Sequence, residues 1–385
     1  MISEIHLQNL LSFGPESPPL RLGQLNLFIG PNGSGKSNLI EAISLLQSAP
    51  KALASPVRDG GGIRDWLWKG DPNPVATVEA VIENPHGHMP LRHVLSFTET
   101  AQRFELVDER IENEHPHQGE RTAYFFYKYQ QNHPVLNVRG DQRVLQREMV
   151  DPEQSILSQR KDPDQYPEIT FLGSQYEKIR IYREWAFGRY TPARRPQKAD
   201  QRNDSLEENF ENLGLVLNRL RREAAVKRQI LTWLNELYEG IDDFDVIIEG
   251  GTVQVFLHEG NFSIPATRLS DGTLRFLCLL AILCHPSPPP LVCIEEPELG
   301  LHPDVLPAVA KLLLAAAEKT QLLVTTHSDD LVDEFTNTPD AVVVCEKVKG
   351  ATLMNRLSKD ALKDWLGKYS LGRLWRRGEV GGNRW

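Results

Sequence analysis

The chain has 385 residues, of which 40% are apolar and 25% charged, the balance of a soluble globular protein with room for a sizeable core. Its net charge of −9 excludes a globally basic, nucleic-acid-coating surface and leaves only a local basic patch open. The four cysteines, Cys278, Cys284, Cys293 and Cys345, lie inside apolar segments with no CxxC spacing, which excludes a disulfide framework and a zinc ribbon.

Ile2 to Phe13 alternates polar and apolar residues like a strand, and Leu25 to Gly30 reads as a buried strand running into a glycine-rich turn. A helix follows from Lys36 to about Gln47, stopped by Pro50. From about Ala76 to Arg139 the runs ATVEAVIE, RHVLSFTE, RFELVDERIE and TAYFFYKY suggest an antiparallel meander. Ser205 to Glu239 switches to helical spacing, with Leu206, Phe210, Leu213, Leu217 and Leu220 on one face and Ile230, Leu234 and Leu237 on another. This stretch is too short for a coiled-coil arm. DVIIEGGTVQVFLHEG is a hairpin turning at Gly250 and Gly251. A helix from Thr273 to Cys284 comes next, then a proline-rich link. Strands LVCI, QLLVTT and AVVVCE follow, with a helix from Val305 to Glu318 between the first two. That βαβ pattern implies a parallel sheet. The longest apolar run, Phe276 to Cys284, is too short to cross a bilayer, and MISEIHLQNL has no basic region followed by an apolar stretch. The expectation is a cytoplasmic protein with no membrane partner.

GPNGSGKS, Gly30 to Ser37, fits GxxxxGK[ST] between an expected strand and an expected helix. The candidate ATP-binding segment is Gly30, Pro31, Asn32, Gly33, Ser34, Gly35, Lys36, Ser37 and Asn38. Loop amides and the helix N-terminus face the phosphates, Lys36 reaches the β and γ oxygens, and Ser37 holds Mg2+. A plain capped turn is the alternative, but each glycine costs about 0.5–1 kcal/mol, which a phosphate explains better than stability does. LVCIEEP ends a strand in two adjacent carboxylates, at the edge where open α/β sheets bind ligands. Glu295 is the candidate to orient Mg2+, and Glu296 the catalytic candidate that polarises water; a solvated strand end is the plainer reading. His327, in LLVTTHS, stands at the tip of the next strand, placed to contact the γ-phosphate or simply half-exposed. In RLSDGTLRF, Ser270 and Asp271 cap the following helix, and Ser270 with Gly272 also forms an anion site open to the γ-phosphate of another subunit.

The phosphate loop, LSDGT, CIEEPELGLHP and TTHS occur in the order found in ABC-type ATPases, and nearly the whole chain resembles the RecF-like, SMC-related and OLD-related cytosolic ATPases of the AAA_21 type. The resemblance implies an α/β fold: an ABC-type P-loop ATPase head with a mostly parallel core sheet, an antiparallel β-lobe and a helical signature lobe. It implies a head-to-head homodimer sandwiching two ATP, with Leu269 to Thr273 closing on the partner's nucleotide. Lys36 and Ser37 then match Walker A, Glu295 and Glu296 Walker B and the catalytic base, His327 the switch histidine, and Glu298 to Pro303 the D-loop. Two departures stand out: Glu295 where Asp is usual, and Asp271 where the signature has Gly, its charge offset by Arg268 or Arg275. Gln154 in DPEQSILS is the first candidate for the family's metal-linked glutamine, and Gln175 in FLGSQY the alternative.

As one head, the chain divides into 1–75 (first strands and Walker A), 76–175 (β-rich lobe), 176–265 (basic connector and helical insert), 266–350 (signature, Walker B and switch) and 351–385 (tail). More than 230 positions separate Walker A from the signature, a longer interval than in transporter ATPase domains. Lys178 to Arg202 carries eight basic residues against two acidic, interleaved with Tyr182, Trp185, Phe187 and Tyr190. That composition suits duplex DNA through Arg183, Arg189, Arg194 and Arg195, or equally a connector whose aromatics pack and whose arginines pair internally. His115 and His117 read as solvent-facing, and Trp365, Trp375 and Trp385 as a docking tail. Together these features suggest ATP hydrolysis coupled to DNA or to a separately encoded nuclease or toxin, in phage defence or genome maintenance. The alternatives are a nucleotide-switch scaffold with little turnover and a transporter ATPase subunit.

Overall fold

The computed structural model describes all residues except 86, 131–132, 139–140, 145–149, 186 and 383–385. Arg139 and Trp385 therefore lie outside the described residues. The four runs expected as a meander are the middle of a larger, eight-stranded antiparallel sheet. Its strands are β1 (Ile2–Gln8), β2 (Leu20–Arg21), β4 (Ala76–Ile82), β5 (Leu91–Thr100), β6 (Arg103–Asn113), β7 (Phe125–Gln130), β8 (His133–Val138) and β9 (Asp141–Val144). Their order is β2-β1-β4-β5-β6-β7-β8-β9, so the N-terminal strand belongs to this lobe.

The core sheet contains β3 (Leu25–Ile29), β10 (Arg180–Tyr182), β15 (Leu291–Glu295), β16 (Gln321–Thr325), β17 (Val342–Val348) and β18 (Ala351–Arg356). Its order is β10-β15-β16-β3-β17-β18, parallel except for the last pair. The apolar runs are continuous because both faces are covered. Leu27, Val292, Ile294, Leu322 and Val324 pack with helices α8 (Asp271–Leu283) and α9 (Leu306–Ala317). Phe28, Leu291, Cys293, Leu323 and Val343 pack with α1 (Lys36–Ser48) and the antiparallel lobe. All four cysteines are buried in these layers.

Short helices α2 (Ser55–Asp59) and α3 (Ile63–Trp66) follow α1, and α4 (Ile156–Gln159) and α5 (Pro167–Glu177) lead from the antiparallel lobe into β10. A third sheet, β11 (Gln197–Lys198), β12 (Asp243–Glu249), β13 (Thr252–Glu259) and β14 (Phe262–Pro265), packs with α6 (Leu213–Leu220) and α7 (Ala224–Leu237). The β12–β13 hairpin pairs Glu249 with Thr252, turning at the two expected glycines. Helical structure starts later than the spacing suggests. Leu206 and Phe210 are buried but non-helical, Phe210 at φ 62°. The expected divisions also shift: β10, inside 176–265, and β18, inside 351–385, are both core-sheet strands. After α10 (Asp329–Asp333) and α11 (Lys359–Leu366), the tail helix α12 (Leu371–Arg376) docks on α10 of its own chain, burying Leu371, Leu374 and Trp375.

The antiparallel lobe is fastened to α4 and α5 by a fully buried polar knot. Glu109 Oε1 accepts the Ser155 hydroxyl at 2.5 Å and Oε2 accepts the Ile156 amide at 2.9 Å. His93 bridges Glu109 (3.3 Å) and the Tyr176 hydroxyl (3.2 Å). Removing one member of such a network leaves the others desolvated and unsatisfied. Glu109→Ala should lower the unfolding free energy by about 3 kcal/mol in urea titration with an unchanged m-value; a loss under about 1 kcal/mol would show that water replaces the carboxylate.

Candidate functional site

Parallel register brings the strand ends together: Tyr182 lies beside Ile294, Glu295 beside Thr325, and Thr325 beside Phe28. Ser37, Glu295, Glu296 and His327 therefore leave one edge of the sheet, the edge at which the phosphate loop opens. The loop shape depends on two glycines. Gly30 has φ 147°, and a Cβ there would lie 2.2 Å from the Cys345 carbonyl oxygen; Gly35 has φ 102°, and its Cβ would lie 2.2 Å from Thr352 Oγ1. Thr352 Oγ1 donates to the Ser34 carbonyl at 2.9 Å and is hydrogen-bonded to the Ser12 hydroxyl, which accepts from Asn38 Nδ2 at 2.7 Å. The Asn38 side chain thus braces the loop from behind instead of facing its mouth. The Ser34 hydroxyl is buried without a partner.

Lys36 is buried, and Nζ donates to the Gly30 (2.7 Å) and Pro31 (3.2 Å) carbonyls, holding the loop closed on itself. Burial lowers its pKa, against the pull of the glutamates at positions 295, 296 and 298. Burial likewise pushes the Glu295 carboxyl up, opposed by Arg183 and by a hydrogen bond from Ser37. Glu295 Oε1 is buried with no hydrogen-bond partner. A hydroxyl and an orphaned carboxylate oxygen are the hard donors Mg2+ takes, and one or two protein groups suffice when phosphates and waters supply the rest. The residues fit that ion. Among the described residues no cluster of three or more His, Cys, Asp or Glu offers another metal site, and His115 and His117 are exposed.

Glu296 adopts φ 48°, a left-handed conformation costly for a side-chain-bearing residue and held here by its amide bond to the Thr325 carbonyl at 3.0 Å. His327 Nε2 lies 3.6 Å from Glu296 Oε1. Burial and the Lys36 charge lower the imidazole pKa and Glu296 opposes them. Glu298 fixes the histidine's backbone: Oε1 accepts the Thr326 hydroxyl at 2.6 Å and the His327 amide at 3.0 Å, while Oε2 is buried without a partner.

Ser270 Oγ caps α8, accepting the Thr273 amide at 3.0 Å. Gly272 abuts the D-loop, since a Cβ there would sit 2.9 Å from the Gly300 carbonyl oxygen. The charge on Asp271 is offset by Arg194, not by Arg268 or Arg275. Arg194 is buried and also donates to the Leu269 and Ala266 carbonyls, so it is a strut of the signature turn and not a DNA contact. Arg183 is likewise internal, paired with Glu41 at 2.7 Å. Tyr182, Trp185 and Phe187 stack with Phe210 in the core, as the connector reading has it. Arg189 and Arg195 remain exposed, Arg195 lying over the Tyr190 ring at 4.6 Å.

Neither glutamine reaches this edge. Gln154 accepts the Leu53 amide at 3.3 Å, beyond the far end of α1, about 16 Å along the helix from Ser37. Gln175 lines a cavity with Gln24, Pro290 and Gln321, at the opposite end of the strands. The residue that does emerge there is Arg183, one position past β10. Spacing alone hides it, because β10 is three residues long and its partner lies more than a hundred positions away.

The family model described as "AAA domain, putative AbiEii toxin, Type IV TA system" matches residues 25–333. Among solved structures, the chain is similar to an SMC head bound to the C-winged helix domain of ScpA, with TM-score 0.60 at 15% identity, covering 94% of this chain and 99% of that one. An SMC head with an extended coiled coil, bound to the C-terminal domain of ScpA and derived from Pyrococcus furiosus, gives 0.56 at 13%, covering 95% and 98%. At such identities the likeness is one of fold: that of an ABC-type ATPase head. No match was found among curated proteins.

Burial raises the pKa of Glu298 above its ordinary value of 4.5. The folded state therefore binds this proton more tightly than the unfolded chain, so the charged carboxylate weakens the fold at neutral pH and the penalty fades as pH falls. Glu298→Gln keeps the acceptor for Thr326 and His327 without the charge. It should melt above wild type at about pH 8, with the gap narrowing towards about pH 5. A gap that does not change with pH in thermal melts contradicts this account.

Proposed function

The chain belongs to the AAA_21 family, P-loop ATPases of the RecF- and SMC-like ABC type, and on that premise we propose that it binds and hydrolyses ATP as a head-to-head homodimer. The observation that carries this reading is the joint arrangement at one sheet edge of Lys36, Ser37, the orphaned Glu295 oxygen, Glu296 and His327. The loop amides and the N-terminus of α1 receive the phosphates, and Lys36 turns from the Gly30 carbonyl to the β and γ oxygens. Ser37 and Glu295 hold Mg2+, which when bound neutralises charge on the transferring phosphate. Glu296 orients and deprotonates water, with His327 beside it as a neutral hydrogen-bonding group at pH 7. Ser270 at the N-terminus of α8, Gly272 and the exposed Leu299 of the D-loop face the second subunit's nucleotide.

Closure is passed to a separate effector. Two features support this: SMC heads of the same fold bind ScpA, and the family description names a toxin of a type IV toxin–antitoxin system. A defence role in the cytoplasm is part of the same proposal. No helix among the described residues is long and apolar enough to cross a membrane. A direct duplex contact, if made, falls on Arg189 and Arg195, since Arg183 and Arg194 are engaged internally.

Glu296→Gln should retain ATP binding and ATP-dependent dimerisation while turnover falls by about 10²–10⁴. Equal inactivity and equal dimerisation of wild type and variant would leave a nucleotide switch without hydrolysis. In a mobility-shift series, neutralising Arg189 and Arg195 together should weaken duplex binding and reduce the salt dependence by about two ions. No shift at low salt by wild type removes DNA from the reading.

A further inference from the structure

We propose that Arg183, not a glutamine, links the nucleotide site to the signature helix, as an internal cation that holds Glu295 and Glu41 until a divalent cation takes Glu295. The inference rests on the reading of this edge as an ATP–Mg2+ site. Its ground is geometric. Tyr182 pairs in parallel with Ile294, so the next residue on each strand, Arg183 and Glu295, emerges side by side. Glu41 is one turn beyond Ser37 on α1 and shares its face. The guanidinium sits between them, Nη1 2.7 Å from Glu41 Oε1 and Nε 3.8 Å from Glu295 Oε2, with Nε buried and lacking a hydrogen bond. A guanidinium has no acceptor and cannot ligate a metal, so it does not do what a glutamine does there. It competes for the same carboxylate and is repelled when a dication binds.

The residues just past Arg183 make this displacement consequential. Two positions on, Trp185 Nε1 donates to the Glu295 carbonyl at 2.6 Å. Arg275, from the second turn of α8, lies over the Trp185 ring at 4.9 Å and the Phe187 ring at 5.6 Å, and donates to the Trp185 carbonyl at 3.3 Å. Arg275 Nη1 is buried without a partner, and the hydrogen bond its other Nη makes goes to Trp185, so the guanidinium ties α8 to this segment. Arg183 also borders a cleft of about 730 Å³ whose walls include Ser44, Glu184, Thr191 and Glu208. That space has room and carboxylates for the guanidinium when it leaves Glu295. Residues 183–185 thus run from the metal-side carboxylate to the helix that carries the signature.

The test titrates Mg2+ against binding of a fluorescent ATP analogue, with Trp fluorescence followed in parallel. Arg183→Gln should reach half-maximal binding at about tenfold lower Mg2+ than wild type, because the competing cation is gone. Arg183→Lys should stay close to wild type. The Mg2+-dependent Trp signal should be lost in Trp185→Phe and blunted in Arg183→Gln. Nucleotide binding with the same Mg2+ midpoint in wild type, Arg183→Gln and Arg183→Lys overturns the inference and leaves the proposed ATPase standing. No nucleotide binding by wild type at any Mg2+ concentration overturns both. If Arg183→Gln fails to fold, a shifted Mg2+ midpoint in Glu41→Gln, which loosens the same guanidinium, supports the inference, and an unshifted one overturns it.

Discussion

The Glu295 carboxylate is the group on which the arrangement turns. It is carried to the edge of the sheet by a strand hydrogen-bonded on both sides, so its position is set by β10 and β16 together and not by a loop. Burial disfavours its charge, and three groups answer that cost: Arg183 just past β10, and Ser37 and the charge of Lys36 at the start of α1. Lys36 and Ser37 are neighbours where the phosphate loop enters α1, and Arg183 comes from across the sheet. The carboxylate therefore couples the phosphate loop, the core sheet and the segment leading to the signature helix, and any change in what neutralises it is felt by all three.

The strained residue beside it fits the same logic. Glu296 follows Glu295 with φ 48°, and this turn keeps both adjacent acids at the site, one bonded by Ser37 and the other towards His327. An extended continuation of the strand would place the second side chain on the opposite face of the sheet. The conformational cost is carried by the ladder bond to Thr325 and by Glu298, which pins the amide of His327 from the turn beyond. Separation of roles between two neighbouring carboxylates is thus a backbone property before it is an electrostatic one.

Much of the site was legible because its parts are local strings at strand ends. A run of apolar residues followed by GPNGSGKS, EE or THS identifies both the strand and the group it delivers, and the parallel sheet is implied by the order of the runs. The residues that escaped are those whose role depends on register between distant segments. Arg183 and Arg194 both lie in a basic, aromatic-rich stretch that composition alone assigns equally well to nucleic acid or to internal packing. Only the pairing of β10 with β15, and the fold of the connector against the signature turn, shows that their guanidinium groups are spent on Glu41, Glu295, Asp271 and the Leu269 carbonyl. The glutamines failed for the converse reason: Gln154 and Gln175 satisfy a chemical expectation but lie at the wrong ends of α1 and of the sheet.

The buried arginine seated on Trp185, Arg275, is costly in a way that needs a reason. Burying a guanidinium with an unsatisfied nitrogen is unfavourable, and burial pulls the pKa of Arg275 down to about 10. A stable core would place an aliphatic residue there, since Trp185 and Phe187 already supply an apolar surface. The charge becomes intelligible where the surroundings change sign of need: Glu296 and Glu298 both lie within electrostatic reach of Arg275, and both face the edge at which phosphates would arrive. A cation seated on an aromatic platform, with one nitrogen free, keeps a favourable contact with the rings without a salt bridge to fix it, so its seat joins α8 to Trp185 and Phe187 while its charge stays directed to that edge.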